Sequence, residues 1–171
     1  MVINMELPIR KPTRLKNYDY SSEGAYFITI CTHNRKNLFS NIVGQGLAPA
    51  EIQLSAFGKI ANEEITDIEK RYKNIKFDKY VIMPNHIHAI IIIKNKSAGA
   101  SPCPTLSDII CTFKSFTARK CHILNPKQKI WQRSFHDHII RGEQDYLKIW
   151  NYIDTNPQKW QDDCFYTSQQ I

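Results

Sequence analysis

The sequence lacks any long hydrophobic run. Its longest unbroken apolar stretch spans residues 89–93, whereas a membrane-spanning helix needs about 20 mostly apolar residues. Residues 1–6 also lack the charged region, apolar core and small-residue cleavage site of a secretory signal. We therefore expect no membrane span and no secretory signal peptide.

Cysteine is sparse and carries no pairing pattern. The cysteines are odd in number and include no Cys-x-x-Cys pair; they are Cys31, Cys103, Cys111, Cys121 and Cys164. This usage argues against a secreted disulfide framework. It is typical of reduced thiols in a cytoplasmic protein.

The composition shows no bias of the kind that accompanies disorder. Of the 171 residues, 42% are hydrophobic and 23% are charged, which is ordinary for a soluble globular protein. A chain of this length can bury a sizeable hydrophobic core. We therefore expect one domain, with or without a tail.

Acidic residues are the minority among the charged ones. Lysine and arginine number 23 against 16 aspartates and glutamates, so the net charge is +7. This balance favours a polyanionic partner, most often nucleic acid, although a solvated basic surface is the alternative. Residues 1–20 are polar and proline-containing, which predicts a basic N-terminal arm; its cations are Arg10, Lys11, Arg14 and Lys16.

Hydrophobic periodicity divides the rest of the chain into strands and helices. Alternating or β-branched runs predict strands at residues 25–32, 77–83, 86–93 and 132–141. Apolar residues at helical spacing predict helices at residues 55–74, 105–121 and 143–156. Ser55 and Thr105 are predicted N-caps. Pro157 disfavours helical geometry at Asn156, and an ending one turn later is the alternative. Residues 41–54 predict a loop or a small hairpin.

The order of these elements predicts the fold class. Strand, helix, strand, strand, helix, strand is the ferredoxin-like arrangement. It is an α+β fold in which an antiparallel sheet carries two helices on one face. The last predicted helix follows this unit as a C-terminal addition.

A His-x-His pair lies in the most strongly predicted strand. Side chains alternate along a strand, so His86 and His88 point to one face of the sheet and Ile87 points to the other. Two imidazoles fixed on one face can chelate a divalent cation. A chance pair without a metal is the competing interpretation.

The last predicted helix carries a tyrosine and an amide one turn apart. Tyr152 and Asn156 are four positions apart and therefore lie on the same helical face. The amide oxygen of Asn156 is a hard ligand suited to Mg²⁺ or Mn²⁺, and Tyr152 is a candidate nucleophile. An ordinary half-buried tyrosine of an amphipathic helix is the alternative.

Several motifs in a fixed order resemble the REP-associated tyrosine transposases. These belong to the HUH single-strand nuclease superfamily, beside the small single-tyrosine transposases of minimal insertion sequences. The resemblance covers nearly the whole chain and includes Met-Pro-Asn-His-Ile-His. The motifs that carry it are residues 14–20, 24–29, 83–88, 131–141 and 152–157.

The resemblance implies a domain, a reaction and a partner. Residues 21–160 would form the single-tyrosine transposase domain, and residues 161–171 would be a C-terminal tail. The activity would be that of a metal-dependent single-stranded DNA endonuclease and strand transferase, which cleaves next to DNA hairpins through a 5′-phosphotyrosine. The partner would be single-stranded DNA with a hairpin, and the protein would be a monomer or a homodimer.

The resemblance also implies roles for individual positions. His86 and His88 would hold Mg²⁺ or Mn²⁺, and Tyr152 would be the nucleophile. Asn156 stands where the insertion-sequence relatives carry a glutamine, as a third metal ligand. The DNA would be held mainly through its phosphates, by Arg10, Lys11, Arg14, Lys16, Arg119, Lys120, Arg133 and Arg141.

Other protein classes with a His-x-His strand fit the sequence less well. A cupin site continues with a glutamate four or five residues later, where Ile92 and Ile93 stand. A histidine-triad hydrolase has a third histidine where Ile90 stands. The serious alternative is a domesticated, non-catalytic DNA-hairpin-binding module with the same fold. Metal-dependent covalent attachment to DNA distinguishes the enzyme from that module.

Overall fold

Six strands and three α-helices make up the described part of this computed structural model, which comprises residues 15, 17–44, 50–94 and 103–167. The strands are β1 (Gly24–Cys31), β2 (Ser40–Val43), β3 (Glu51–Leu54), β4 (Ile75–Ile82), β5 (His86–Ile93) and β6 (His136–Ile139). The helices are α1 (Ala56–Arg71), α2 (Leu106–Leu124) and α3 (Glu143–Thr155). Short 3-10 segments cover His33–Arg35 and Asn156–Asp162.

The central sheet is antiparallel throughout and has the strand order β4-β5-β1-β6. This is the ferredoxin-like order, so the predicted fold class is confirmed. β2 and β3 pair with each other in a separate small sheet. The His-x-His strand β5 is hydrogen-bonded on both edges, which makes it an interior strand.

The sheet separates two hydrophobic clusters. On one face, α1 and α2 cover the odd-numbered residues of β5, which are fully buried. On the other face, Ile149 and Ile153 of α3 belong to one cluster with Ile90 of β5. The predicted alternation along β5 is therefore confirmed, and the two histidines lie on the α3 side.

Helices α1 and α2 begin at the capping residues that the sequence predicts. Ser55 Oγ accepts a hydrogen bond from the Gly58 N–H at 3.1 Å, and Thr105 forms a reciprocal capping box with Asp108. Such caps satisfy N–H groups that have no partner in the first helical turn. Within the described ranges, no helix has both the length and the apolar character needed to cross a bilayer.

Helical geometry continues past the residue that precedes Pro157. Asn156 has φ and ψ of −58° and −42°, although a following proline disfavours this region. The chain tightens here into a 3-10 segment, and Pro157 lies at its start, a position that tolerates proline in helices. The α-helix therefore ends one residue before the predicted end at residue 156, and helical geometry continues for a further turn, which is the alternative stated above.

Strand β6 is shorter than predicted. Four residues, His136–Ile139, pair with β1, whereas the predicted strand covered residues 132–141. Before β6, the backbone carbonyls of Gln132, Arg133 and Ser134 accept hydrogen bonds from Lys114 Nζ. Lys114 therefore satisfies these three carbonyls, while the Gln132 N–H donates to the Cys31 carbonyl of β1 at 3.0 Å.

The predicted basic arm, residues 1–20, lies mostly outside the described residues. This applies to all four of its cations, Arg10, Lys11, Arg14 and Lys16. Near its end, Tyr18 and Tyr20 pack with their rings against Tyr26 of β1. The division of the chain at residues 20 and 160 stays a prediction.

Candidate metal and tyrosine site

His86 and His88 project from β5 into the space beneath α3. Their exposed fractions are 0% and 1%, and their ring centroids lie 4.4 Å apart. Because β5 is bonded to β4 and β1, its backbone holds both rings in place. The two predicted metal ligands therefore lie together on a rigid part of the sheet.

Hydrogen bonds orient each imidazole with Nε2 toward the site. His86 Nδ1 lies 2.9 Å from Asn85 Oδ1 and donates to it, because the amide nitrogen of Asn85 is turned to backbone carbonyls. His86 Nε2 is then the lone-pair nitrogen, and it is buried without a partner among the described residues. His88 Nδ1 lies 2.8 Å from Thr29 Oγ1. This arrangement resembles metal-binding histidines, whose second nitrogen is fixed by a hydrogen bond.

Burial keeps both histidines neutral. Removal from water lowers the pKa of His86 to about 3, and the positive charge of Arg35 adds to this effect. The pKa of His88 is held well below its usual value, first by burial and second by His86. A neutral imidazole presents the lone pair that a metal ion requires.

Tyr152 of α3 lies against His88. Its hydroxyl is 3.2 Å from His88 Nε2, and 40% of the residue is exposed. Burial raises the pKa of Tyr152 to about 12, with the negative charge of Asp163 as the second cause. The phenol is therefore protonated at neutral pH, and a neighbouring cation would favour its deprotonation.

Asn156 and Asp163 complete the polar lining. Asn156 is buried, and its Oδ1 has no hydrogen-bond partner within the described residues. Its Nδ2 donates to Asp163 Oδ2 at 2.8 Å. One carboxylate oxygen of Asp163 and one nitrogen from each histidine all lie within 4.8 Å of one another. Imidazole nitrogens and carboxylate oxygens are both ligands for divalent cations.

Asp163 is a residue that the sequence analysis missed. It lies in the predicted tail beside Asp162, and no motif or periodicity distinguishes the two aspartates. Asp163 faces the histidines. Its Oδ1 accepts a hydrogen bond from the Phe165 N–H at 2.7 Å, which fixes the side chain locally. Asp162 is exposed. The adjacent acidic pair was the only signal, and it does not show which member faces the histidines.

The segment of residues 163–167 covers the histidines. The Phe165 ring lies 4.7 Å from the His86 ring, and Asn85 Nδ2 donates to the Phe165 carbonyl at 2.8 Å. The Arg35 guanidinium lies over the Phe165 ring at 5.1 Å and donates to the Cys164 carbonyl at 3.1 Å. These contacts anchor Asp163 beside the histidines, so the predicted tail contributes to the site.

Two of the predicted DNA-binding residues lie on α2, on the sheet face opposite to the histidines. Arg119 lies over the Phe116 ring at 5.1 Å. Lys120 makes ion pairs with the buried Glu64 and, at 3.2 Å, with Asp67. A contact of these two residues with DNA stays a prediction.

Arg133 and Arg141 flank β6 and are both exposed. Arg133 lines an open cavity of about 510 Å³ together with His33 and Arg35. The backbone N–H of Arg141 donates to Asp145 Oδ2 at 3.1 Å, at the start of α3. A contact of Arg133 and Arg141 with DNA likewise stays a prediction.

Two known proteins are similar to the chain in sequence. No family model matches it. An uncharacterized protein of Haemophilus influenzae is 34% identical over an alignment of 172 residues, which covers 92% of this chain and 93% of that protein. The REP-associated tyrosine transposase of Escherichia coli is 24% identical over 140 residues, covering 82% of this chain and 70% of that protein.

One solved structure extends the similarity to the fold. A REP-associated tyrosine transposase bound to a REP hairpin matches with a TM-score of 0.62 and 20% identity, over 85% of this chain and 73% of that chain. At this level of identity the match shows a common fold. The chain therefore belongs to one family with the Haemophilus influenzae protein, and it is similar in sequence and in fold to the REP-associated tyrosine transposases.

Proposed function

We propose that the chain is a metal-dependent single-stranded DNA endonuclease and strand transferase. The observation that carries this proposal is the 3.2 Å contact between the Tyr152 hydroxyl and His88 Nε2, beside the unpartnered Nε2 of His86. A candidate nucleophile thus meets a candidate metal site. Because a similar fold binds a REP hairpin, single-stranded DNA next to a hairpin is the proposed substrate.

The lining of the site fits a divalent cation. His86 Nε2 and Asn156 Oδ1 are both buried without partners among the described residues, and each unsatisfied polar atom costs roughly 1–3 kcal/mol. A cation held by His86 and His88 would engage the lone pair of His86 Nε2, and it would engage Asn156 Oδ1 as well if Asn156, and not Asp163, were the third ligand. When bound, Mg²⁺ or Mn²⁺ supplies Lewis-acid polarisation of a phosphate and neutralises its developing charge.

Tyr152 is positioned to act as the nucleophile. Its Oη attacks the scissile phosphorus and forms an O–P bond, while the bond from phosphorus to the 3′ oxygen breaks. The phenolic proton leaves to water on the exposed side of the ring, and the departing 3′ oxygen takes a proton from water. The strand stays attached to Tyr152 through its 5′ phosphate. Attack by a second 3′ hydroxyl reverses the step and joins two strands.

Formation of a covalent adduct tests this proposal. The protein is incubated with single-stranded DNA carrying the hairpin that flanks its own gene, with Mg²⁺ or Mn²⁺, and the products are resolved on a denaturing gel. We expect an adduct that peptide mass spectrometry locates on Tyr152 and that disappears in EDTA. Tyr152→Phe is expected to form none. Tyr146→Phe, a change on the same helix at a residue bonded to Asp78, is the matched control and retains the adduct.

The melting temperature of the protein reports metal binding independently of cleavage. Mn²⁺ is expected to raise the melting temperature of the wild-type chain, because a ligand that binds the native state stabilises it. His86→Ala is expected to lose this rise and the cleavage while it retains most of the DNA binding. Cleavage in EDTA would contradict the role of the metal. Tight hairpin binding without any adduct would instead identify a non-catalytic DNA-binding module.

A further inference from the structure

An open cavity lies beside the histidines, between the β2–β3 hairpin and the C-terminal segment. Its volume is about 580 Å³, within the range of pockets that bind small organic ligands. Asn41 and Gln53 line it from the hairpin. Trp160 of the 3-10 segment and Tyr166 of the segment 163–167 line it from the C-terminal side. The metal and tyrosine site described above uses none of these side chains.

The lining of this cavity is polar but uncharged. Asn37, Asn41 and Gln53 contribute amides, Tyr166 and Thr167 contribute hydroxyls, and no lysine, arginine, aspartate or glutamate appears in its described lining. A phosphate site would present cations. An amide offers a donor and an acceptor side by side, which is the pattern that reads the polar edge of a nucleobase.

The amides of Asn41 and Gln53 are placed to act together. The two residues are direct partners in the register of β2 and β3, so their side chains leave the same face of the hairpin, with Cβ atoms about 5 Å apart. Both residues are exposed. Two neighbouring amides on a rigid hairpin can therefore contact one planar ligand.

Aromatic rings form another wall of the cavity. The centroids of Trp160 and Tyr166 lie 5.3 Å apart at an interplanar angle of 72°, and Tyr166 is 40% exposed. Unpaired bases stack on exposed aromatic rings of this kind in single-strand binding proteins. A stacking ring and an amide pair in the lining of one cavity suit a base that is not paired in a duplex.

The cavity lies next to the candidate site. The Trp160 ring lies 5.9 Å from the His86 ring, and Pro84, a further lining residue, precedes His86 by two positions. Because the cavity adjoins His86, a strand held at the candidate site can place a nearby unpaired nucleotide in it. We propose that the cavity binds an unpaired nucleobase of the DNA substrate, with Asn41 and Gln53 on its polar edge and Tyr166 on its face. This inference rests on the proposed DNA substrate and not on cleavage.

Selection from random single strands tests the cavity separately from cleavage. The full chain is mixed in EDTA with a pool of single-stranded DNA of random sequence, and the bound strands are sequenced. The wild type is expected to enrich strands with a preferred base at one or two adjacent positions. Replacement of both amides, Asn41→Ala with Gln53→Ala, is expected to reduce this preference roughly tenfold, which is the discrimination of one good amide–base contact.

Two further variants complete the experiment. Gln158→Ala removes an exposed amide outside the cavity, and it is expected to select the same strands as the wild type. Tyr166→Ala is expected to weaken binding to all sequences by about tenfold, because stacking tolerates every base. Melting temperatures equal to that of the wild type verify that the variants are folded.

The outcomes separate the cavity from the proposed function. A wild-type chain that binds DNA without any base preference would overturn the cavity proposal alone, as would a double amide variant that enriches the same strands as the wild type. A chain that binds no DNA would contradict both proposals. Since EDTA suppresses metal-dependent cleavage, a base preference that depends on the amides would stand even if no adduct on Tyr152 were found.

Discussion

Single side chains determine what the candidate site can bind, and Asp163 is the most informative of them. Asp163 shares a hydrogen bond with Asn156 at 2.8 Å and offers its carboxylate to the space between the histidines. A carboxylate attracts a divalent cation more strongly than a neutral amide, because it carries a full negative charge. Asp163 is therefore an alternative to Asn156 as the third ligand of the proposed metal site.

Asp163→Asn is predicted to weaken Mn²⁺ binding by at least about tenfold, since even residues that only orient metal ligands contribute 10–100-fold to affinity. Isothermal titration with Mn²⁺ measures the change without any DNA. Asp162→Asn removes the same charge from the adjacent, exposed position and is expected to leave the affinity unchanged. Equal affinities in the two variants would leave Asn156 as the third ligand.

At the scale of elements, α1 is held against the chain that leads into β2. A Cβ atom added at Gly58 would lie 1.9 Å from the Phe39 carbonyl oxygen, so the first turn of α1 can approach this backbone only with glycine. Ser55 secures the same junction, because its hydroxyl donates to the Leu38 carbonyl at 2.6 Å. The β2–β3 hairpin, and with it one wall of the proposed base pocket, depends on this contact.

Gly58→Ala is predicted to lower the free energy of unfolding by about 2–3 kcal/mol through overpacking. The sign is diagnostic, because alanine in an uncrowded helix position would stabilise the protein by about 1 kcal/mol relative to glycine. Urea denaturation measures the difference. Gly24→Ala is the control, since its Cβ would have no neighbour nearer than 3.7 Å. A stabilised Gly58→Ala variant would show that α1 does not approach Phe39 this closely.

At the scale of the whole molecule, the excess of positive charge is unevenly available to a polyanion. Lys120 shares its charge with the buried Glu64 and with Asp67, and Lys79 is paired with Asp154 at 2.5 Å. Arg133 is exposed at an open cavity that also contains Arg35. We expect exposed cations such as Arg133, and not the ion-paired lysines, to contribute most of the contacts with DNA phosphates.

The salt dependence of hairpin binding measures this distribution. Arg133→Gln is predicted to weaken binding to all sequences and to reduce the slope of log affinity against log salt by about one. Lys120→Gln is predicted to change the slope less and to lower the melting temperature, because it leaves the buried Glu64 carboxylate without its cation. Fluorescence anisotropy over a series of salt concentrations provides both slopes. The opposite ranking would place the DNA on the α1–α2 face.

Local pattern was sufficient for the fold class and for most of the polar side chains of the candidate site, with Asp163 as the exception. Short stretches of sequence were enough to predict three features. These are the capping residues Ser55 and Thr105, the strand period around His86 and His88, and the helix that carries Tyr152. Each of them depends on neighbours within a few positions, where backbone geometry dictates the spacing. The end of α3 was predicted to within one residue, whereas the 3-10 segment that follows it, Asn156–Asp162, was not predicted.

Long-range packing was needed for the rest. The contact between Tyr152 and His88 joins residues 64 positions apart, and Arg35 bonds to Cys164 across 129 positions. Neither Asp163 nor the pocket of Asn41, Gln53 and Tyr166 carries a motif, because a lone polar residue in a loop has the same sequence signature whether it faces a site or solvent. Which of these side chains meet depends on how the C-terminal segment folds back over the sheet, and that depends on contacts that form only in the complete fold.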